Sequence, residues 1–444
     1  MSTTFPVKKA VKQISNFRND FKYSTDVILN IPEKIKKLKP HLEKLEISAP
    51  RIEEEHNLYQ LVNLKFLTLS LSNLTTVSSQ IVLLTNLQKL DLSHNRICNV
   101  PKTIFNISKL TYLNLNGNQI DCINYDIKKL VNLNILLLNS NDIKHITIAL
   151  LQLPNLTTLD LSHNQINGDI LYTFHNDKII NNQLRCLYLQ MNQLKKVPEI
   201  LLKTKRLREL KLDHNAITSF SQSVVGYLDD LEVLTLSYNK IDSSFVQTIS
   251  NLTNLRFLNL SNNSLHTIHQ DIKKLTNLKI LNLTRTDIEE LPFNMKFDKL
   301  EYLYLASNRL TKLPSTLSNC PNLISLVASS NRLSSIQDIP SLNRLTIPNN
   351  LFNSVPKLSN VTYIDVSFNN ITSIRSVSHK LKKLKLQGNK IYYMCADVIN
   401  LAEVTITESD ILPYNEHIMS EQQVKQCDWL REYYSIQIKG MIYY

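Results

Sequence analysis

The chain has 444 residues, 43% of them hydrophobic, and a formal net charge of +12 at neutral pH. Its five glycines never take the spacing of GxGxxG, GxxxxGK[ST] or GxSxG, which excludes phosphate-cradling loops and nucleophile elbows of those kinds. No apolar run reaches the roughly 18 residues of a membrane-spanning helix. The basic residues are scattered, so a lysine-coated surface is expected rather than a nucleic-acid or membrane stripe.

At the N-terminus Val7, Val11, Ile14 and Phe17 share one helical face, and residues 5–18 are expected to form a helix capping an open core. Lys8, Lys9, Lys12 and Arg18 on the same stretch leave a membrane-surface helix as the alternative. The stretch lacks an uninterrupted apolar segment, so no secretory leader is expected. Residues 18–41 read as a degenerate first repeat, with Phe21, Tyr23, Ile28, Ile31-Pro32 and Ile35 in step. Together residues 1–41 form the N-terminal cap region.

Residues 42–412 carry seventeen copies of LxxLxLxxNxL, from Leu42 to Leu401. The first three leucine positions hold Leu, Ile or Val in 50 of 51 cases, Ala328 being the exception. In LxL both side chains point to one face of a short strand, and stacking such units buries one continuous core. Asparagine fills its position in 13 of 17 copies. Turned inward at the strand's end, it can satisfy backbone groups that the bend leaves unpaired. Pro50, Ser72, Thr286 and Ser409 replace it. Many returns contain a proline after an aliphatic residue (Val100-Pro101, Leu291-Pro292, Leu313-Pro314), where a helical turn can start without needing that N–H.

Repeat length varies. Most copies span 22–24 residues, the copy from Leu156 spans 28 with its extra residues within Gly168–Gln183, and the last four intervals are 19 or 20. The short returns leave little room for a helical turn and are expected to be extended. In residues 413–444 Ser420 precedes Gln423, a capping-box pair, and Val424, Cys427, Leu430 and Tyr434 would turn inward from a C-terminal capping helix.

Units of this length with L-x-x-L-P-x-x-I-x-x-L tails resemble the Ras-suppressor type of leucine-rich repeat. The resemblance covers roughly residues 18–412. It implies an α/β repeat solenoid: a leucine-rich-repeat horseshoe with a parallel concave β-sheet and short helical, 3₁₀ or extended convex segments. It also implies a non-catalytic scaffold or adaptor of the cytoplasm, holding a protein partner on the concave face in intracellular signalling. A targeting or substrate-receptor subunit of a ubiquitin ligase or phosphatase complex is the alternative.

Candidate contact residues follow from the outward positions two, three, five, seven and eight. Most are small or polar, but three consecutive repeats differ. Position two holds Arg185 and Arg208, position five Tyr188 and Lys211, and position eight Met191, His214 and Tyr238. Tyrosine and arginine are enriched at binding hot spots because they combine area with hydrogen bonding. Arg285, Tyr304 and Arg309, with Tyr302, form a second group. The six cysteines are dispersed without metal or disulfide spacing, which fits a reducing compartment. His94, His163 and His214 share position eight but are two or three repeats apart, too far for one ion. Neither a cofactor nor a metal is expected, and the chain is expected to be monomeric by itself. Nine NxS/T sequons occur, which the repeat's own N-L-T generates.

Overall fold

A computed structural model describes residues 20–24, 29–30, 42–48, 52–53, 58–167, 183–196, 204–220, 225–399 and 401–406. The expected N-terminal helix over 5–18, the insertion of the 28-residue repeat and the C-terminal helix lie outside these residues. The chain divides into two compact units, the first comprising 1–217 and 226–231, the second 218–225 and 232–444.

Each unit is a solenoid with one parallel sheet, every coil contributing a strand at positions three to five. In unit 1, Lys44–Ser48 is followed by Phe66–Thr68, Lys89–Asp91, Tyr112–Asn114 and Ile135–Leu137, then Thr158–Asp160, Cys186–Tyr188 and Glu209–Lys211. Ahead of them Asp20–Ser24, from the degenerate repeat, pairs with Lys44–Ser48, Phe21 beside Leu45 and Tyr23 beside Ile47. In unit 2 the strands run from Val233–Thr235 to Glu403–Thr405. The register is the same throughout, position three against three and five against five, as in Leu90 beside Leu113 and Leu281 beside Leu303. This identity follows from the spacing: any slip would turn the leucines outward. The leucines at positions one, four and six are buried up to the repeat from Leu381, most of them completely, as is Ala328, whereas Leu401 is half-buried.

Position-nine asparagines close the coils. Asn118 Nδ2 donates to the Leu92 carbonyl of the preceding coil at 3.0 Å and to Leu115 of its own at 2.9 Å, while Oδ1 accepts from the Ile97 N–H at 3.0 Å. Asn141, Asn164, Asn263, Asn331 and Asn369 repeat this arrangement. Where Thr286 stands instead, its Oγ1 donates to Leu283 O at 2.7 Å, and its backbone carbonyl takes the Leu265 and His266 N–H groups. There the next residue, Asp287, is left-handed (φ 58°), as is Asn73 (φ 52°) after Ser72. Turning the backbone inward thus replaces the missing amide, at residue types that tolerate that conformation.

The outer segments are mainly 3₁₀ turns, including Ser79–Leu83, Lys102–Asn106, Tyr125–Lys129, Gln270–Lys274 and Ser315–Asn319. Pro101 and Pro314 stand just ahead of two of them in extended conformation, whereas Ser78 Oγ, Asn124 Oδ1 and His269 Nδ1 cap others by accepting an N–H two residues on. The 24-residue repeat from Leu231 has room for an α-helix, Ser244–Ile249, whose Phe245 meets Phe220 edge-on at 5.0 Å. The shortest returns are extended: 334–339 and 353–358 hold no helix, and Ser373–Ile374 pairs in parallel with Tyr393–Met394. The repeat from Leu381 departs from that expectation, ending in a helical turn, Ala396–Ile399.

Candidate functional site

The outward side chains of each unit's sheet stand in columns because the register never shifts. Two columns turn out to do structural work. At position five, Asp91, Asn114, Asp160, Asn259, Asn282 and Asp365 each accept the N–H of residue seven through a side-chain oxygen, at 2.9–3.1 Å. These six side chains hold the turn that leaves the strand. Tyr188, Lys211 and Tyr304 occupy the same position and cannot make that bond, so the turn does not account for their presence.

Position eight is left-handed in every described repeat from Leu71 to Gly388, with φ of 53–56° at the non-glycine residues. Its N–H points to the residue-seven carbonyl of the next coil, as His94 to Asn116 and Arg285 to Ala306. Met191, His214, Tyr238 and Arg285 therefore sit on a turn beyond the strand ends. Met191 and Tyr238 remain 41% and 47% exposed.

In unit 1 the structure brings Tyr188 and Lys211 together on neighbouring strands. Lys211 Nζ lies 4.7 Å from the centre of the Tyr188 ring and 2.7 Å from Glu209 Oε1. Burial, with the neighbouring Cys186 and Glu209 side chains adding to it, pushes the Tyr188 phenol well above its ordinary range. Arg185 and Arg208 lie exposed beside them at position two. Tyr238 belongs to unit 2, together with Arg285, Tyr304 and Arg309. Arg309 is at position ten, where Asp287 (3.2 Å) and Glu289 (3.7 Å) hold its guanidinium.

One arrangement in unit 2 escaped the sequence reading. Arg344 and Tyr363, both at position three, are register partners on adjacent strands, and the guanidinium lies 3.9 Å from the ring centre. Equal repeat position in consecutive copies was the signal available. Among the described residues no group of three His, Cys, Asp or Glu side chains could hold a metal ion, and no helix is long and apolar enough to cross a membrane.

A family profile described as a leucine-rich repeat region matches residues 228–392, and a leucine-rich-repeat profile matches 85–143 and 182–241. Lumican of Gallus gallus is 31% identical over 207 residues, covering 43% of this chain and 52% of lumican. The chain spans about half the length of the curated relatives it matches. A solved leucine-rich-repeat protein of Leptospira interrogans is 28% identical with a TM-score of 0.66, covering 82% of this chain and 88% of its own. The plant peptide hormone receptor RGFR1, solved in complex with RGF2, is 25% identical with a TM-score of 0.62, covering 82% and 66%.

Proposed function

The chain belongs to the leucine-rich-repeat proteins, and on that footing we propose that it is a non-catalytic scaffold or adaptor that binds a protein partner on its exposed sheet face. The observation that carries this is the break in the position-five column. Tyr188, Lys211 and Tyr304 stand where the turn favours Asp or Asn, and they replace a backbone bond with area, charge and a phenol. The receptor RGFR1, solved with RGF2, is a relative in which such a fold meets a ligand. The turns opened by Pro101 and Pro314 support reading these repeats as the Ras-suppressor type. A cytoplasmic site, and with it a part in intracellular signalling, is supported by five free thiols among the described residues (Cys98, Cys122, Cys186, Cys320 and Cys395), since unpaired cysteines suit a reducing compartment.

The test is recovery of partners by the full-length chain from its native cells, quantified by mass spectrometry. Tyr188→Ala with Arg208→Ala in unit 1, or Tyr304→Ala in unit 2, should lower recovery of a specific partner by about tenfold or more while the melting temperature holds. Unchanged recovery with all three substitutions combined would remove the sheet face as the binding surface.

A further inference from the structure

We propose that Arg344, held flat against Tyr363, is a carboxylate-recognition point on the sheet face of unit 2, and that its occupant is an extended segment of a partner polypeptide bearing an acidic side chain. This rests on the reading of the sheet face as a protein-binding surface and assigns the chemistry of the partner there.

The contrast between two stacked cations carries the argument. Lys211 over Tyr188 is already neutralised by Glu209 at 2.7 Å. Arg344 over Tyr363 is just as closely stacked, yet it makes no ion pair among the described residues. The acids of the surrounding repeats are engaged elsewhere. Glu301 binds Lys279 at 2.7 Å, Asp365 accepts the Ser367 N–H at 3.1 Å, and Asp338, on a return segment, bonds Ser359. Stacking uses the face of a guanidinium and leaves its N–H edges free, and those edges match a carboxylate in a two-bond fork. The ring also limits the positions the side chain can take, so less freedom is lost on binding.

The surroundings suit a polypeptide. On the two preceding strands, positions three and five hold Tyr302, Tyr304, Ser325 and Val327, none of them charged, and Ile324 at position two is 43% exposed. A segment laid across these strands would place uncharged side chains on the tyrosines and one carboxylate on Arg344. At positions three and five of the strands Tyr302–Tyr304, Ser325–Val327 and Arg344–Thr346 the one formal charge is that of Arg344, so an acidic occupant is complementary there where a basic one is repelled, Asp365 on the following strand being turned to the Ser367 N–H.

A random dodecapeptide display library, selected on the full-length chain, tests this. Enriched sequences are made with capped ends and measured by fluorescence anisotropy. The expected result is enrichment of Asp or Glu flanked by apolar residues. Arg344→Ala, or alanine in place of the peptide's acid, should weaken binding by about tenfold or more, and the two changes together little further. Arg344→Lys should recover only part, Tyr363→Leu should cost a few-fold, and Lys312→Ala, an exposed cation elsewhere in unit 2, should change nothing. Peptides that depend on Tyr304 but bind Arg344→Ala as well as the unsubstituted chain, or that lack acidic enrichment, overturn the carboxylate assignment and leave the sheet-face reading standing. Peptides indifferent to both Tyr304 and Arg344, or no enrichment at all, overturn both.

Discussion

Asn118 serves two coils through one amide group, and the residue is 8% exposed. Replacing it with alanine strands the Ile97 N–H in a dry interior, while the Leu92 carbonyl keeps the bond from Asn95. A loss of about 1–3 kcal/mol is expected for one such group, read by chemical denaturation. Position eight makes a second test, because left-handed backbone penalises branching at Cβ. Ser330→Val, at φ 53°, should cost about 1–2 kcal/mol, whereas Ser330→Gly should stay within about 0.5 kcal/mol of the parent. Melting temperatures of the two variants decide it. The leucines and asparagines were legible in the sequence because their chemistry is monotonous and their spacing regular. The left-handed turn was not: His, Met, Tyr, Arg and Ser all occupy it, and only Gly117 and Gly388 hint at it. That is why Met191, His214, Tyr238 and Arg285 read from sequence as members of the strand face, although they stand on the turn that follows it.

At the scale of the element, the return segments show how length selects conformation. The described 23-residue coils such as that from Leu87 close with a 3₁₀ turn, the 24-residue coil from Leu231 closes with the helix Ser244–Ile249, and 19-residue coils close without either. The helix is held by Phe245, Val246 and Ile249, all buried. Phe245→Ala removes the ring that meets Phe220 and should destabilise by about 3–5 kcal/mol through an unfilled cavity, measurable as a shift in the urea midpoint. The extended character of the shortest returns could be read from residue counts alone. The rearrangement at Thr286 could not, because it depends on how two backbone N–H groups share one carbonyl when an amide is missing. Nor could the free guanidinium of Arg344, since stacking distance and the commitments of Glu301 and Asp365 are properties of packed side chains.

Across each unit as a whole, stability is carried between neighbouring coils, because strands and asparagine bonds reach only to the adjacent repeat. Leu281→Ala, at a fully buried position, should therefore act locally as well as globally. Hydrogen exchange should accelerate most in the strands Phe257–Asn259, Ile280–Asn282 and Tyr302–Tyr304 and fade over the following repeats. Uniform acceleration of all of unit 2 would instead mark it as a single cooperative block.

Each coil also leaves particular backbone groups to its successor. The N–H of residue eight and the N–H of residue eleven find their partners in the coil that comes next in the chain, and the carbonyl of residue six gains a second donor there beside the asparagine of its own coil. During synthesis on the ribosome, a coil that has fully emerged is therefore still incomplete. It waits for the asparagine of its successor, so each repeat is finished about one repeat late and the growing end always offers unpaired backbone to whatever arrives first.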